Sequence, residues 1–459
     1  MGYMPVETPP APVAVRRSAT LAVLSVAQFL IALDYAIVYI ALPSIGSDLH
    51  LSPAQVQWVV SAYAVLFAGF LVAGGRLSDR VGAKRLFVWS VVGFGLASAA
   101  GGVAGDGSVL LAARGVQGLC AAMLQPAVLG LIATTFPAGP ARNRALAVWG
   151  SVGASGLAIG TILGGLLTTV SWRLTFWINV PLTLLAALGA IAWFTAPAPE
   201  RQARRIPVVA AALGTGTVLA LALGLTLAAD AGWTSTATLA CLGLALVLAI
   251  AFVRHESGAR NVLIDPVLRR TFSLRLGAVA TALYMASVGS EFYLLTVLLQ
   301  DLKGYEPLQA GCAFLPLAVM VTAGNVAADR AVRRHGAAAV LVGGFAVSAL
   351  GLVWLALALH GDSYVVHLLP GLLLSGFGHG VVYTSMFVIG THDVPSAHQS
   401  TAGALLTTSQ YLSGALTIAV LTLVLGPAPD ETQFRAAFLV TAGAALLGLA
   451  LVHTRRRML

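Results

Sequence analysis

The sequence predicts an all-α integral membrane protein of fourteen transmembrane helices, and three observations carry that prediction. The chain of 459 residues is 58% hydrophobic, with mean hydropathy +0.89, well above the apolar share of soluble domains. Its apolar runs reach or exceed the roughly 20 residues a helix needs to cross a bilayer. Its few charges, 9% of residues, gather in alternate connections between those runs.

Taken in order, the spacing predicts helices near 20–44, 54–76, 86–104, 109–135, 144–170, 174–196, 206–228 and 235–253, then 272–299, 308–328, 337–359, 364–390, 399–425 and 434–453. The longer runs imply tilt or extension into the interface. The organisation predicted is 6+2+6: an N-terminal tail over 1–18, a six-helix bundle over 19–200, two inserted helices and a linker over 201–271, a second six-helix bundle over 272–454, and a basic tail over 455–459.

Basic residues favour cytoplasmic loops. With the N-terminus inside, only Arg173, Lys303 and Arg435 fall in outward segments, and Arg114 lies within a helix. Every other Lys or Arg of the 26 is inward, from Arg16 and Arg17 to Arg455, Arg456 and Arg457. Both termini are therefore expected in the cytoplasm, in the inner (plasma) membrane of a cell. Topology accounts for the net charge of +9, so no nucleic-acid partner is implied. Arg16-Arg17 before an apolar run resembles a twin-arginine export signal, but thirteen further runs favour an orientation role. Cys120, Cys241 and Cys312 sit far apart in predicted helices, which points to packing rather than a metal site.

The inward stretch "GGRLSDRVGAKRLF" (74–87) holds Arg76, Asp79, Arg80, Lys84 and Arg85. Orientation explains the cations but not Asp79, because acidic residues contribute little to it. An aspartate flanked by arginines suggests a charge relay between helices, with Gly75 and Gly82 permitting a tight turn and close backbone approach. The stretch "AADRAVRRHGAAA" repeats the pattern, with Asp329, Arg330 and Gly336 in place of Asp79, Arg80 and Gly82. Internal repeats of this kind build rocking, alternating-access transporters.

"GRLSDRVGAKR" (75–85) resembles the loop signature of the major facilitator superfamily, with Ala83 where a basic residue is usual. "RGVQG" (114–118) resembles that family's helix-4 motif. "LDYAIVYIALP" (33–43) and "WRLTFWINVP" (172–181) resemble its fourteen-helix drug:proton antiporters, with Ala36 and Tyr39 departing from the usual Thr and Asn. "GTILGG" (160–165) resembles the antiporter motif of helix 5, with Thr161 in the proline position beside Gly160, Gly164 and Gly165. Plain small-residue helix packing would also account for that glycine face. The resemblance implies multidrug or antibiotic efflux driven by the proton-motive force. It implies no bound cofactor, a small-molecule substrate, contact with membrane lipid, and a chain that works as a monomer.

Ionisable residues within spans cost about 2.5–3.5 kcal/mol each on insertion scales and are functional candidates by default. Asp34, Arg114 and Glu291 are the clear cases. Asp34 lies about 15 Å below the outer end of helix 1 and Arg114 about 8 Å below that of helix 4, a gap an arginine side chain can mostly bridge. This predicts a pair coupled for proton transfer, with a purely structural ion pair as the alternative. Glu291 is expected to be a second proton or cation site. His379 could titrate near neutral pH, although a hydrogen-bonded packing histidine fits its helix as well. Tyr39, Tyr63, Gln117, Tyr284, Tyr293, Tyr383 and Tyr411, with His379, are candidates for the substrate cavity. Gly75, Asp79, Arg80, Gly82, Lys84, Arg85, Asp329 and Arg330 are candidates for a cytoplasmic gate.

A proton-coupled solute symporter running inward is the alternative to export. No HExxH or GxSxG motif occurs, and neither Lys84 nor Lys303 completes a phosphate-binding loop, so no enzyme is expected.

Overall fold

A computed structural model describes residues 13–51, 53–194, 208–258, 262, 264–361, 363–395, 398–426 and 429–455. Arg201, Arg204, Arg205, Arg260, Arg456 and Arg457, expected on the inward side, lie outside these. Among the described residues every regular element is helical, and fourteen helices are long and apolar enough to cross a membrane.

The first half comprises α1 (Val13–Asp48), α2 (Pro53–Val81), α3 (Ala83–Gly102), α4 (Gly107–Thr135), α5 (Pro140–Thr168) and α6, built from Leu174–Trp177 and Asn179–Trp193. The insert is α7 (Val208–Ala231) and α8 (Thr236–Gly258). The second half comprises α9 (Phe272–Ala286, then Glu291–Val297), α10 (Pro307–Ala313 and Leu315–His335), α11 (Ala337–Leu357), α12 (Leu369–Thr391), α13 (Gln399–Leu425) and α14 (Glu431–Arg455).

Local chemistry sets the helix limits. Asp106 caps α4, its Oδ1 accepting from the backbone N–H of Ser108 at 2.8 Å and of Val109 at 3.1 Å. This satisfies donors that the first turn leaves free. Proline explains two interruptions. Pro181 cannot donate to the Trp177 carbonyl in α6, nor Pro316 to that of Cys312 in α10, and each helix is interrupted within the preceding turn, at Ile178 and Phe314.

Two expectations need correction. The stretch 74–87 is not an open turn: α2 stays helical through Val81, Gly82 alone turns the chain at φ 93°, and α3 starts at Ala83. Gly336 repeats this at φ 79° between α10 and α11. A side chain resists such φ values and glycine does not. The ninth span, expected as one helix, breaks after Ala286. There Ser287 Oγ donates to the Tyr284 carbonyl at 3.0 Å and Ser290 Oγ to that of Met285 at 2.7 Å, so hydroxyls compete with the helical ladder.

Packing repeats at an offset of eight helices. In the first half α1 packs on α5, α2 on α4, and α3 on α4 and α6; in the second, α9 packs on α13, α10 on α12, and α11 on α12 and α14. The halves meet along α2/α13 and α5/α10. Helix α7 lies against both α2 and α13, and α8 packs mainly on α7. The insert thus covers one seam and leaves the other without such a cover.

Candidate functional site: a buried carboxylate and a seam between the halves

Asp34, fully buried on α1, binds three donors. Arg114 Nη1 lies 2.7 Å from its Oδ2; Gln117 Nε2 and Asn179 Nδ2 donate to its Oδ1 at 3.1 and 2.8 Å. Arg114 Nε donates to the Val59 carbonyl at 2.9 Å, and its guanidinium stacks over Tyr63 at 4.6 Å. Gln117 also donates to Ser98 Oγ at 2.8 Å and accepts from Arg114 Nη1 at 3.0 Å. The network therefore joins α1, α2, α3, α4 and α6. A buried ion pair is retained only when further hydrogen bonds offset its desolvation, and these supply them.

Helix α5 sets the position of α1. At Gly160 a Cβ would lie 2.8 Å from Ala36 Cβ and 3.0 Å from the Leu33 carbonyl, so only glycine lets α5 approach the turn that carries Asp34. Gly164 meets α1 similarly at Ile37 and Ile40. Gly165 is half-buried, and the side chain of Thr161 lies outside what is described.

At the end of the bundle carrying the basic turns, the halves are joined by hydrogen bonds. Asp79 Oδ2 accepts from Thr401 Oγ1 at 2.5 Å and from the Thr401 N–H at 3.2 Å; Ser78 Oγ donates to Ser400 Oγ at 3.1 Å. Beside them a Cβ on Gly75 would lie 2.8 Å from Ala404 Cβ and 2.9 Å from Thr401 Cα. Gly75 therefore serves close approach of α2 and α13 rather than a turn.

The other gate candidates are placed differently. Lys84 Nζ donates to the carbonyls of Phe194 at 2.6 Å and Ile191 at 3.5 Å, at the C-terminus of α6. Arg16 Nε reaches the Trp193 carbonyl at 3.3 Å. Both complement the negative end of a helix within the same half. Arg80 and Arg85 are exposed. Asp329 pairs with Arg333 one turn along at 2.6 Å, so the sequence repeat is not a repeat of the seam contact. Arg330 lines an open groove with Arg144 and Arg333.

In the second half Glu291 starts the resumed segment of α9, buried, with Ser375 Oγ donating to its Oε1 at 2.6 Å and no partner on Oε2 among the described residues. The Tyr284 hydroxyl and His379 Nε2 are 2.5 Å apart. A chain of rings crosses to the first half: Tyr284 to Tyr383 at 5.6 Å, then Tyr383 to Trp149 at 5.6 Å. A second crossing joins Tyr411 to Phe67 at 4.6 Å, with Phe67 stacked on Tyr63. Tyr293 and Tyr39 stand apart from these rings. Tyr293 bonds Thr422 at 2.9 Å within its own half, and Tyr39 is 45% exposed, bonded to Tyr35.

Sequence reasoning missed Asn179, Ser98, Ser375, Ser400 and Thr401. Asn179 carried a signal: an amide within an apolar span incurs the same kind of desolvation cost as a charge. Ser and Thr carry almost none, because they bond their own helix as readily as a neighbour.

Two related six-helix halves around buried charge, joined at a seam, define a polytopic membrane transporter of the alternating-access class. The chain belongs to the Major Facilitator Superfamily, which residues 24–207 and 196–418 match. It is 34% identical over 419 residues to a puromycin resistance protein of Streptomyces alboniger, covering 89% of this chain and 82% of that one. It is 33% identical to a cephamycin export protein of Amycolatopsis lactamdurans, covering 87% and 83%. It is 32% identical to a tetracenomycin C resistance and export protein of Streptomyces glaucescens, covering 88% and 74%. A human organic anion transporter shares the fold, with TM-score 0.70 at 16% identity over 95% of this chain and 99% of that one.

Proposed function

We propose that the chain is a proton-driven exporter of small amphipathic compounds, an antibiotic or natural product:proton antiporter of the plasma membrane whose basic end faces the cytoplasm. The observation that carries the coupling is Asp34, a buried carboxylate held by Arg114, Gln117 and Asn179. The direction is supported by relatives named for resistance and export.

In this reading the Asp79–Thr401 contact holds the cytoplasmic side shut while the opposite side admits protons. Protonation of Asp34 weakens its hold on Arg114 and frees the first half to rearrange, and substrate leaves outward. Deprotonation toward the cytoplasm restores the pair and resets the carrier. Glu291 is a second proton site, and the rings around Trp149, Tyr284, Tyr383 and Tyr411 face the substrate as the seams open. One proton moving down 100 mV supplies about 2.3 kcal/mol, enough for a roughly fiftyfold gradient. The chain itself catalyses no covalent reaction and works as a monomer.

Purified protein in vesicles, challenged with puromycin, a cephamycin and tetracenomycin C under an imposed proton gradient, tests the proposal. Substrate should move against the direction of proton flow. Movement with the protons would establish a symporter instead.

A further inference from the structure

The hydrogen bonds around Asp34 raise a question that the ion pair alone does not answer. Every group bonded to its carboxylate acts as a donor: Arg114 Nη1, Gln117 Nε2 and Asn179 Nδ2. That arrangement suits the ionised form. A protonated Asp34 carries an O–H, and a buried O–H needs an acceptor.

Elimination identifies the acceptor. Arginine has none to offer. Gln117 is held at both ends, its Oε1 by Arg114 at 3.0 Å and its Nε2 by Ser98 at 2.8 Å as well as by Asp34. The Tyr63 hydroxyl is buried without a partner among the described residues, but no hydrogen bond ties it to Asp34, whereas Asn179 already meets Asp34 Oδ1 at 2.8 Å. Asn179 is itself fully buried, and its Oδ1 has no partner among the described residues. Turning its amide about the Cβ–Cγ bond exchanges Nδ2 for Oδ1 and puts an acceptor about where the donor stood, 2.8 Å from Asp34 Oδ1. Such a turn disturbs no other hydrogen bond of Asn179, whereas turning Gln117 would aim its Nε2 donor at the Arg114 guanidinium.

We propose that Asn179 is a two-state positioning residue that donates to Asp34 when it is ionised and, with its amide turned, accepts from it when it is protonated. The inference rests on the proposed proton coupling at Asp34. Asn179 also begins the second segment of α6, just past the break at Ile178. Its amide therefore links the protonation state to a helix already interrupted at that point. Among the described residues, the charged and titratable groups facing Asp34 from the surrounding helices are Arg114 on α4 and Tyr63 on α2. The α3 and α6 contacts are Ser98 and Asn179, neither of which titrates.

Infrared titration of the full chain in phosphatidylcholine vesicles tests this with the proton as the only ligand. The Asp34 carboxyl band is the one absent from Asp34→Asn. Asn179→Leu removes both donor and acceptor. Losing the donor raises the protonation midpoint and losing the acceptor lowers it, so the O–H stretch of the neutral acid carries the test. It should be that of a hydrogen-bonded hydroxyl in the wild type and move to the free-hydroxyl position in Asn179→Leu. Asn179→Gln, which keeps a rotatable amide, should restore the bonded signature and serves if the leucine variant does not fold. An O–H stretch unchanged in Asn179→Leu, or, should that variant not fold, a free O–H signature in Asn179→Gln, overturns the two-state role. Absence of any Asp34 titration in the wild type would overturn the coupling on which it rests.

Discussion

Asp79 and Thr401, 322 positions apart, share two hydrogen bonds across the seam between the halves, one to the threonine hydroxyl and one to its backbone N–H. Hydrogen bonds to a charged acceptor contribute about 1.5–3 kcal/mol each. Asp79→Asn and Thr401→Val should therefore both slow turnover, by tenfold or more, while substrate binding and folding persist. A double-mutant cycle checks the pairing: the combined variant should be little worse than either alone, and additive losses would separate the two residues.

Asp34→Asn leaves Arg114 buried without its counter-charge, which costs about 3–5 kcal/mol. The single variant should melt earlier than wild type, and Arg114→Gln added to it should recover part of that loss. Neither variant should accumulate substrate against a gradient in vesicles, although downhill exchange should continue. Uphill transport by the double variant would place the proton elsewhere.

Glu291→Gln keeps the acceptor that Ser375 uses and nearly the same volume, so the fold should persist. The expected effect is on coupling: fewer protons should move per substrate molecule, read from the membrane potential that just balances transport. An unchanged ratio would reduce Glu291 to a packing residue.

Asp48 gives a pH dependence outside the spans. The Trp172 indole N–H at 3.0 Å, then Arg173 at 2.7 Å, hold its carboxyl below the usual carboxylate range. The unfolded value is about 3.9. This contact's stability is therefore fully present well above that pH and is lost as pH falls through the lower folded value. Melting temperature should be insensitive to this group between about pH 5 and 8 and drop below about 4. Asp48→Asn should lower it at neutral pH and remove that acid-dependent part. A wild-type acid drop retained by the variant would assign it to other carboxylates.

Orientation can be read by labelling. In a background lacking Cys120, Cys241 and Cys312, cysteines at 106 and 430 should react with an impermeant thiol reagent on intact cells. Cysteines at 80 and 333 should not. The reverse pattern would invert the proposed topology.

The sequence by itself determined the fourteen spans, the alternation of basic turns and the identity of Asp34, Arg114 and Glu291 as costly intramembrane charges. These follow from transfer free energies that depend mainly on each segment's own residues. The turn glycines Gly82 and Gly336 were legible too, because each sits in a charged stretch between two apolar runs. Partners were not. Asp79 and Asp329 sit in near-identical stretches, yet one bonds Thr401 across the seam and the other bonds Arg333 on its own helix. Lys84, read with the gate, meets the end of α6, and Asn179 joins Asp34 from 145 positions away. Only the tertiary structure decided these pairings, because a side chain's hydrogen-bond partner depends on which helix faces it in the packed bundle, and hydropathy carries no record of that.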